Sequence, residues 1–434
     1  MIRLVALALI ALGLPPSAAI AQAPVPTRYF QQVEADNGHT LTMQLAMRRF
    51  DRAADGRTVW LAAMVHIGDK SFYKSVQEKL DVLDLVLFEG VRPPGGGRAE
   101  FDLRPKDDAA KVEQTQRRIR FLAIASELHR RAHGKLPETI EQLLDGSSAR
   151  VAEFARANLN DSWEHRLILR LQPPAAPEGE PRLEITSLGA DGAPGGDNAA
   201  ADIRLSDLPP LKPSEIPRPG QNRSLQQNLA SALGLSFQLD VMSHDRPNWR
   251  SSDLSVDQIQ ERLGMAGADA DALFDMLDGS SFSGGVAKLV LGLIKLFPSA
   301  RVYGKIALMQ AMLRSDDLLV ITPRTMAETF DVILNDRNAV VLSDLNNALE
   351  SEPNLKRIAI IYGGAHMPGI EKGLANLGFK DVAVEWHDAI RLDLKSSGFT
   401  PAQGREISSS IGRQLDSQIK AAKRKSRNKK PRKD

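Results

Sequence analysis

Apolar and polar positions along the first hundred residues predict an α/β arrangement. Two strand-like apolar runs, 40–50 and 59–65, are separated by an Ala-Asp-Gly turn, which is typical of a hairpin. Residues 70–80 have helical periodicity, and the apolar run 82–88 is typical of a buried strand. The order strand, helix, strand predicts a right-handed βαβ unit whose two strands run parallel.

The rest of the chain is dominated by helical patterns and then returns to strands. Helices are predicted at 113–144, 224–239, 257–277, 324–350 and 368–377. Strands are predicted at 182–186 and 358–362, and one or two strands at 381–394. The apolar run 286–297 carries two lysines and is short for a membrane span, so it predicts a buried helix. The predicted fold class is α/β, with a mixed β-sheet flanked by helices and a small α+β insertion.

The first 21 residues form an export signal. Arg3 precedes the apolar run 4–14, and Ala19-Ile20-Ala21 fits a cleavage site before Gln22. An uncleaved membrane anchor is the alternative interpretation. Either way we expect the body of the protein to be exported, periplasmic or extracellular. If the signal is cleaved, we expect no transmembrane span in the mature chain.

Composition narrows the possible chemistry. Hydrophobic residues make up 42% and charged residues 25% of the 434 residues, as in soluble globular proteins. The absence of cysteine excludes disulfides, thiolate metal sites and cysteine nucleophiles. Residues after about Ser408 have a helical pattern that passes into a basic segment, and residues 420–434 hold nine Lys or Arg and one Asp. We therefore predict a basic tail over 408–434 that is disordered where like charges dominate. Its expected partner is an anionic envelope surface rather than nucleic acid; a purely solubilising tail is the alternative.

Three residues that can bind a metal or transfer a proton follow predicted strands. His66 comes directly after the strand at 59–65, Glu89 after the strand at 82–88, and His366 after a glycine turn that ends the strand at 358–362. Ligand sites of open α/β sheets lie at the carboxyl ends of strands, so these side chains are expected at one edge. Histidine and carboxylate can bind a transition metal or act as an acid/base pair. The alternative for each histidine is a structural role.

The segments VWLAAMVHIGDKSFYKSVQEKLDVLDLVLFEGV and IAIIYGGAHMPGIEKGLANLGF resemble the TraB/PrgY/GumN group, which is related to the TIKI metalloproteases. The resemblance covers 38–95 and 220–400. The family has two G-x-x-H motifs. The second is intact in this sequence and ends at His366, whereas in the first Ala63 stands in place of glycine before His66. The resemblance also maps an acidic-Arg pair onto Asp336 and Arg337.

The resemblance implies a divalent transition metal, Mn, Co or Zn, and hydrolysis of a peptide or protein substrate. The implied metal ligands are His66, Glu89 and His366, and Arg337 joins them as a catalytic residue. Candidate substrate-binding residues are His244, Asp245, Arg246, Trp249 and Asp336. A loop that packs Trp249 on the sheet is the alternative interpretation of 240–253.

Residues 101–210 interrupt this domain as an insertion. The segments FLAIASELHRRAHGKLPETIEQLL and RLEITSLGADGAPGGDNAAADI resemble the globular part of the type II secretion major pseudopilin, the G type. The resemblance implies a calcium site formed by Asp191, Asp197 and Asp202, because calcium prefers several oxygen ligands on a flexible loop. A solvated glycine-rich loop is the alternative. The insertion is expected to serve recognition.

Three functions remain open from the sequence. The leading hypothesis is an exported metal-dependent hydrolase that acts on peptides. The alternatives are a non-catalytic peptide- or ligand-binding protein of the same fold and an accessory factor of a secretion or pilus system.

Overall fold

A computed structural model describes residues 28–92, 105, 107–147, 149–174, 180–211, 225–265, 298–314 and 332–428. The strands are β1 Phe30–Ala35, β2 Thr40–Arg52, β3 Arg57–Met64, β4 Ile67–Gly68, β5 Leu85–Phe88, β6 Ile168–Gln172, β7 Arg182–Ser187, β8 Ile203–Arg204, β9 Ser236–Phe237, β10 Trp249–Ser251, β11 Arg357–Gly363 and β12 Lys380–Asp393. The α-helices are α1 Lys70–Leu80, α2 Asp108–His133, α3 Ile140–Asp145, α4 Ala149–Ala157, α5 Leu225–Leu233, α6 Gln238–Val241, α7 Val256–Met265, α8 Pro298–Met312, α9 Arg337–Ser351, α10 Met367–Asn376 and α11 Pro401–Asn428.

The chain divides into two compact units. The first contains Met1–Leu87, Asn222–Ser243 and Gly267–Asp434, and the second contains Phe88–Gln221 and His244–Ala266. The second unit therefore interrupts the first, as the predicted insertion does. The structure differs from the predicted boundaries in assigning 244–266 to the second unit.

A mixed sheet forms the centre of the first unit. Its strands follow the order β1-β2-β3-β11-β5, and β12 lies along β2. β2 and β3 form the predicted antiparallel hairpin, whereas β3 and β11 run parallel. The strands on either side of α1, β3 and β5, are not neighbours as a simple βαβ unit would have them, because β11 lies between them. The predicted α/β class with a mixed sheet flanked by helices is confirmed.

β11 is apolar on both faces because both faces of the sheet are covered. Its residues Ile358 to Tyr362 are at most 2% exposed. A continuous apolar run of this kind is typical of a central parallel strand. β12 is a single antiparallel strand with two bulges, where the sequence left one or two strands open. β1 was not predicted, because its residues are mostly polar and half-exposed.

The end of the chain is helical. Helix α11 runs from Pro401 to Asn428, so the predicted helix after about Ser408 is present and extends into the basic segment. A stripe of buried residues at helical spacing, Ile407, Ile411, Leu415 and Ile419, faces the protein. The Arg314 guanidinium also bonds the Asp416 carboxylate at 2.7 Å.

The second unit packs helices against a small antiparallel sheet of β6, β7 and β8. Asp107 caps α2 by accepting a hydrogen bond from the Ala110 amide at 2.9 Å, and Gly134 ends the helix in the left-handed conformation. The core holds side chains from both layers, including Ile119, Leu143 and Ile185. The predicted strand at 182–186 and the predicted helices around 113–144 are thus present.

Several predictions fall outside the described residues. They are the signal at 1–21, the apolar run 286–297 and parts of the helices predicted at 257–277 and 324–350. Among the helices that the structure does describe, none is long and apolar enough to cross a membrane.

Candidate functional site

The two predicted histidines of the first unit follow the ends of neighbouring parallel strands. β3 and β11 are in register from Thr58 opposite Arg357 to Met64 opposite Gly363. His66 lies two residues beyond β3 and His366 three residues beyond β11, so both follow the same sheet edge. His66 is exposed, and its ring centroid lies 6.4 Å from that of Phe237.

His366 is buried and held in one orientation. It is 4% exposed, and its Nδ1 lies 2.8 Å from the Asn338 amide oxygen. The Asn338 amide nitrogen faces the His366 carbonyl at 3.5 Å, which assigns the amide's orientation. Because the facing atom is the amide oxygen, an acceptor, Nδ1 is the donor in this hydrogen bond.

Asn338 is a site residue that sequence reasoning missed. It follows directly after Asp336 and Arg337, the predicted pair, and starts the first turn of α9. Arg337 is 7% exposed, and Asp336 is half-buried. The sequence signal for Asn338 was its position next to that pair. An amide side chain near the start of a helix does not by itself indicate a functional residue.

Glu89 belongs to the second unit and directly follows β5. The neighbouring Gly90 amide donates to the Asp253 carboxylate at 3.0 Å, and the Ser252 amide donates to the Phe88 carbonyl at 3.0 Å. Glu89 itself is half-buried. The two histidines and Glu89 thus lie in different units, and their joint role as metal ligands stays a prediction.

The other predicted substrate residues surround an aromatic cluster of the second unit. The His244 and Trp249 rings lie 4.9 and 5.8 Å from the Phe88 ring and 5.5 Å from each other. Trp249 is 5% exposed, which agrees with the packing interpretation of this loop. Asp245 and Arg246 are exposed.

Within the described parts of the chain, no three His, Asp or Glu side chains are grouped so as to hold one metal ion. The metal and calcium ligand sets therefore remain predictions from the sequence.

The predicted calcium loop spans Ser187 to Asp202 and is rich in backbone turns. Asp191 accepts a hydrogen bond from the Ala193 amide at 3.1 Å. Asp202 accepts the Gly195 amide at 3.0 Å on one oxygen and the Arg204 guanidinium at 2.8 Å on the other. The bond from Arg204 holds the pKa of the Asp202 carboxyl below its usual range. Asp191 and Asp197 are exposed.

A buried carboxylate fixes the start of this loop. Asp161 is 2% exposed, and its Oδ2 accepts a hydrogen bond of 2.5 Å from the Ser187 hydroxyl. Its Oδ1 accepts the amides of Trp163 and His165 at 3.0 and 2.9 Å. The His165 ring in turn lies 2.9 Å from the Gly189 carbonyl oxygen through Nδ1. Asp161 and His165 thus connect the turn at 161–165 to the start of the predicted calcium loop.

Gly189 is one of the glycines of this loop that cannot be replaced without strain. Gly189 has φ +67°, and a Cβ there would lie 2.6 Å from the Ala200 carbonyl oxygen. The left-handed conformation and the close approach both demand glycine.

Residues 103–206 match the family described as "Type II secretion system (T2SS), protein G". The type II secretion system core protein G of Xanthomonas campestris pv. campestris is 32% identical over 101 residues, which are 22% of this chain and 67% of that protein. Through this region, the chain belongs to the protein G family.

The protein G domain, residues 103–206, lies wholly inside the second unit. It contains α2, the sheet of β6 to β8, the Asp161 turn and the loop from Ser187 to Asp202. The predicted likeness of the insertion to a G-type pseudopilin is confirmed. The likeness of the flanking segments to the TraB/PrgY/GumN group stays a prediction.

Proposed function

We propose that the chain is an exported accessory factor of a type II secretion or pilus system, in which the protein G domain mediates recognition. The observation that carries this proposal is the match over 103–206, which includes the whole predicted calcium loop. A separate compact unit surrounds this domain in the chain, which favours an accessory role over that of a simple pilus subunit.

Binding of the purified full chain to a purified type II protein G pseudopilin tests this association. Calcium-dependent binding that is lost in Asp191→Ala is the expected result. Asp145→Ala, an exposed carboxylate of the same domain at the end of α3, should bind normally. Absence of binding with calcium present would contradict the proposal, as would equal loss in both variants.

Calcium binding by the loop is the second part of the proposal. The donor set suits calcium, because exposed carboxylates at Asp191 and Asp197 are hard oxygen ligands. Asp202 would contribute a third carboxylate, although Arg204 now bonds one of its oxygens. The guanidinium therefore competes with the cation for the same carboxylate.

Calorimetric titration of the full chain with calcium tests the loop. Asp202→Ala should weaken binding, whereas Arg204→Gln should tighten it by removing the competing cation. At a calcium concentration a hundredfold above Kd, binding should stabilise the folded state by about 2.7 kcal/mol. No heat of binding at millimolar calcium, or tighter binding in Asp202→Ala, would contradict the assignment.

A second candidate function is metal-dependent hydrolysis of a peptide or protein substrate. The parallel register of β3 and β11, with His66 and the oriented His366 after one sheet edge, favours it. His66, His366 and Glu89 would hold Mn, Co or Zn, and such a metal supplies Lewis acidity and an activated water. Asn338 keeps the proton of His366 on Nδ1, and Arg337 is the residue that would face developing negative charge.

Metal analysis of the full chain, before and after chelation, tests the metal site on which this candidate depends. His66→Ala and His366→Ala should each lower bound metal, whereas His39→Ala should not. Equal metal content in all variants would contradict the assignment, and this readout does not depend on knowing the substrate.

A further inference from the structure

A cleft of about 360 Å³ lies in the first unit beside His66. Its walls come from the start of α1, from α5 and from the segment β9–α6. The short strand β9 pairs with β4, and the Gln238 amide donates to the His66 carbonyl at 2.8 Å. The cleft is therefore anchored to the chain segment that follows β3. Its volume falls in the range of small-molecule sites, about 300–1,000 Å³.

The cleft has an apolar floor. Ala230 and Leu235 are 1% and 9% exposed, and the half-buried Phe237 adds an aromatic wall. The Phe237 ring centroid also lies 6.4 Å from that of His66. A small aliphatic group placed on this floor would leave water and gain the corresponding hydrophobic stabilisation.

Opposite charges line the same cleft. Lys70 is exposed, and within the described residues its ammonium takes part in no hydrogen bond or ion pair. Asp240 is held by the Gln227 side chain, whose amide donates to Asp240 Oδ1 at 2.8 Å. Lys70 can pair with a ligand's carboxylate, and Asp240 can accept from a ligand's ammonium.

We propose that this cleft binds a free α-amino acid with an aliphatic side chain. The carboxylate pairs with Lys70, the ammonium with Asp240, and the side chain lies on Ala230, Leu235 and Phe237. A fatty-acid anion would leave Asp240 without its counter-charge, and an aliphatic amine would leave Lys70 without one. The assignment does not rest on the secretion-system association or on metal-dependent hydrolysis.

Isothermal titration of the full chain with L-leucine tests the proposal, with N-acetyl-L-leucine and L-leucinamide as parallel probes. L-leucine should bind saturably, and each blocked form should bind at least about tenfold more weakly, since each loses one charge-assisted hydrogen bond. N-acetyl-L-leucine that binds as tightly as L-leucine would overturn the proposal in favour of a peptide's C-terminal residue. L-leucinamide that binds as tightly would overturn it in favour of a peptide's N-terminal residue.

Variants of the cleft residues identify which group of the ligand each residue contacts. Lys70→Gln should weaken L-leucine at least about tenfold and leave L-leucinamide unchanged, because the amide has no carboxylate to lose. Lys74→Gln, an exposed lysine one turn further along α1, is the matched control and should bind normally. Ser231→Trp, an exposed cleft residue, should abolish binding without a change in melting temperature. No saturable heat up to about 10 mM L-leucine, or equal binding by Lys70→Gln and wild type, would overturn the proposal.

Discussion

Replacing Ser187 with alanine tests whether a buried carboxylate organises the protein G domain. The Ser187 hydroxyl is fully buried, donates to Asp161 Oδ2 at 2.5 Å and accepts the Gly189 amide at 3.2 Å. Ser187→Ala removes the donor to a buried carboxylate oxygen and the acceptor of one amide. No other described side chain donates a hydrogen bond to that oxygen, although the His165 ring lies 3.9 Å from it.

The expected cost is about 2 kcal/mol of the free energy of unfolding. A hydrogen bond to a charged group contributes about 1.5–3 kcal/mol, and a buried acceptor that loses its donor keeps its desolvation penalty. For a unit of this size, about 2 kcal/mol corresponds to a fall of roughly 4–8 °C in melting temperature. The same change should weaken calcium binding, because the loop begins at Ser187.

Differential scanning calorimetry of the full chain measures the change in the transition of the second unit. Ser126→Ala is the matched control, since that serine is equally buried but bonds only the Leu122 carbonyl within α2. Alanine there should be nearly neutral, because such a bond adds little to a helix and alanine favours helix. Equal shifts in the two variants would refute the organising role of Asp161 and Ser187.

Two further predictions concern the first unit. Gly364→Ala should destabilise it by about 1–3 kcal/mol, because a Cβ would lie 2.1 Å from the Phe30 ring, and the transition of the second unit should show no such loss for Gly264→Ala, where nothing lies within 4 Å. Burial and the charge of Lys79 lower the pKa of His387, against the opposing effect of Glu385 and Asp388. A lowered folded-state pKa means that stability is full above about pH 6.5 and is lost as pH falls through the folded-state pKa. Melting temperatures between pH 8 and 5 should therefore fall less for His387→Gln than for His39→Gln; parallel profiles would contradict this.

The central sheet was predictable because its strands carry their signal locally. β3 and β11 are continuous apolar runs, and α1 has the helical period. Gly56 precedes β3, and Gly363 and Gly364 mark the end of β11. The position of β11 between β3 and β5 was not predictable, since nothing local distinguishes the neighbour of a parallel strand. The contact between Asn338 and His366 is equally non-local and depends on how α9 approaches the end of β11.

The end of the chain carries two different sequence signals. Isoleucine and leucine recur every four residues from Ile407 to Ile419, in agreement with the predicted helix after about Ser408, whereas the Lys and Arg content of 420–434 predicts disorder. A regular apolar stripe supplies burial that offsets the entropy of ordering a helix, and exposed charge on the opposite face does not prevent it. Helix α11 continues to Asn428, further into the basic segment than composition alone indicates.

Residues 244–266 connect the protein G domain to a distant part of the chain and lead to a last prediction. This segment joins the second unit, where Arg117 of α2 lies 3.6 Å from Asp257 of α7 and Leu263 is fully buried. The family match ends at residue 206, so α7 is an addition to the matched region. If α7 completes the core of the second unit, Leu263→Ala should cost about 2–5 kcal/mol there and leave the first unit's transition unchanged. Calorimetry of the full chain separates the two transitions, with Arg262→Ala as a neighbouring control. A shift of the first unit's transition instead would assign α7 to the first unit and would return the unit boundaries to those predicted from the sequence.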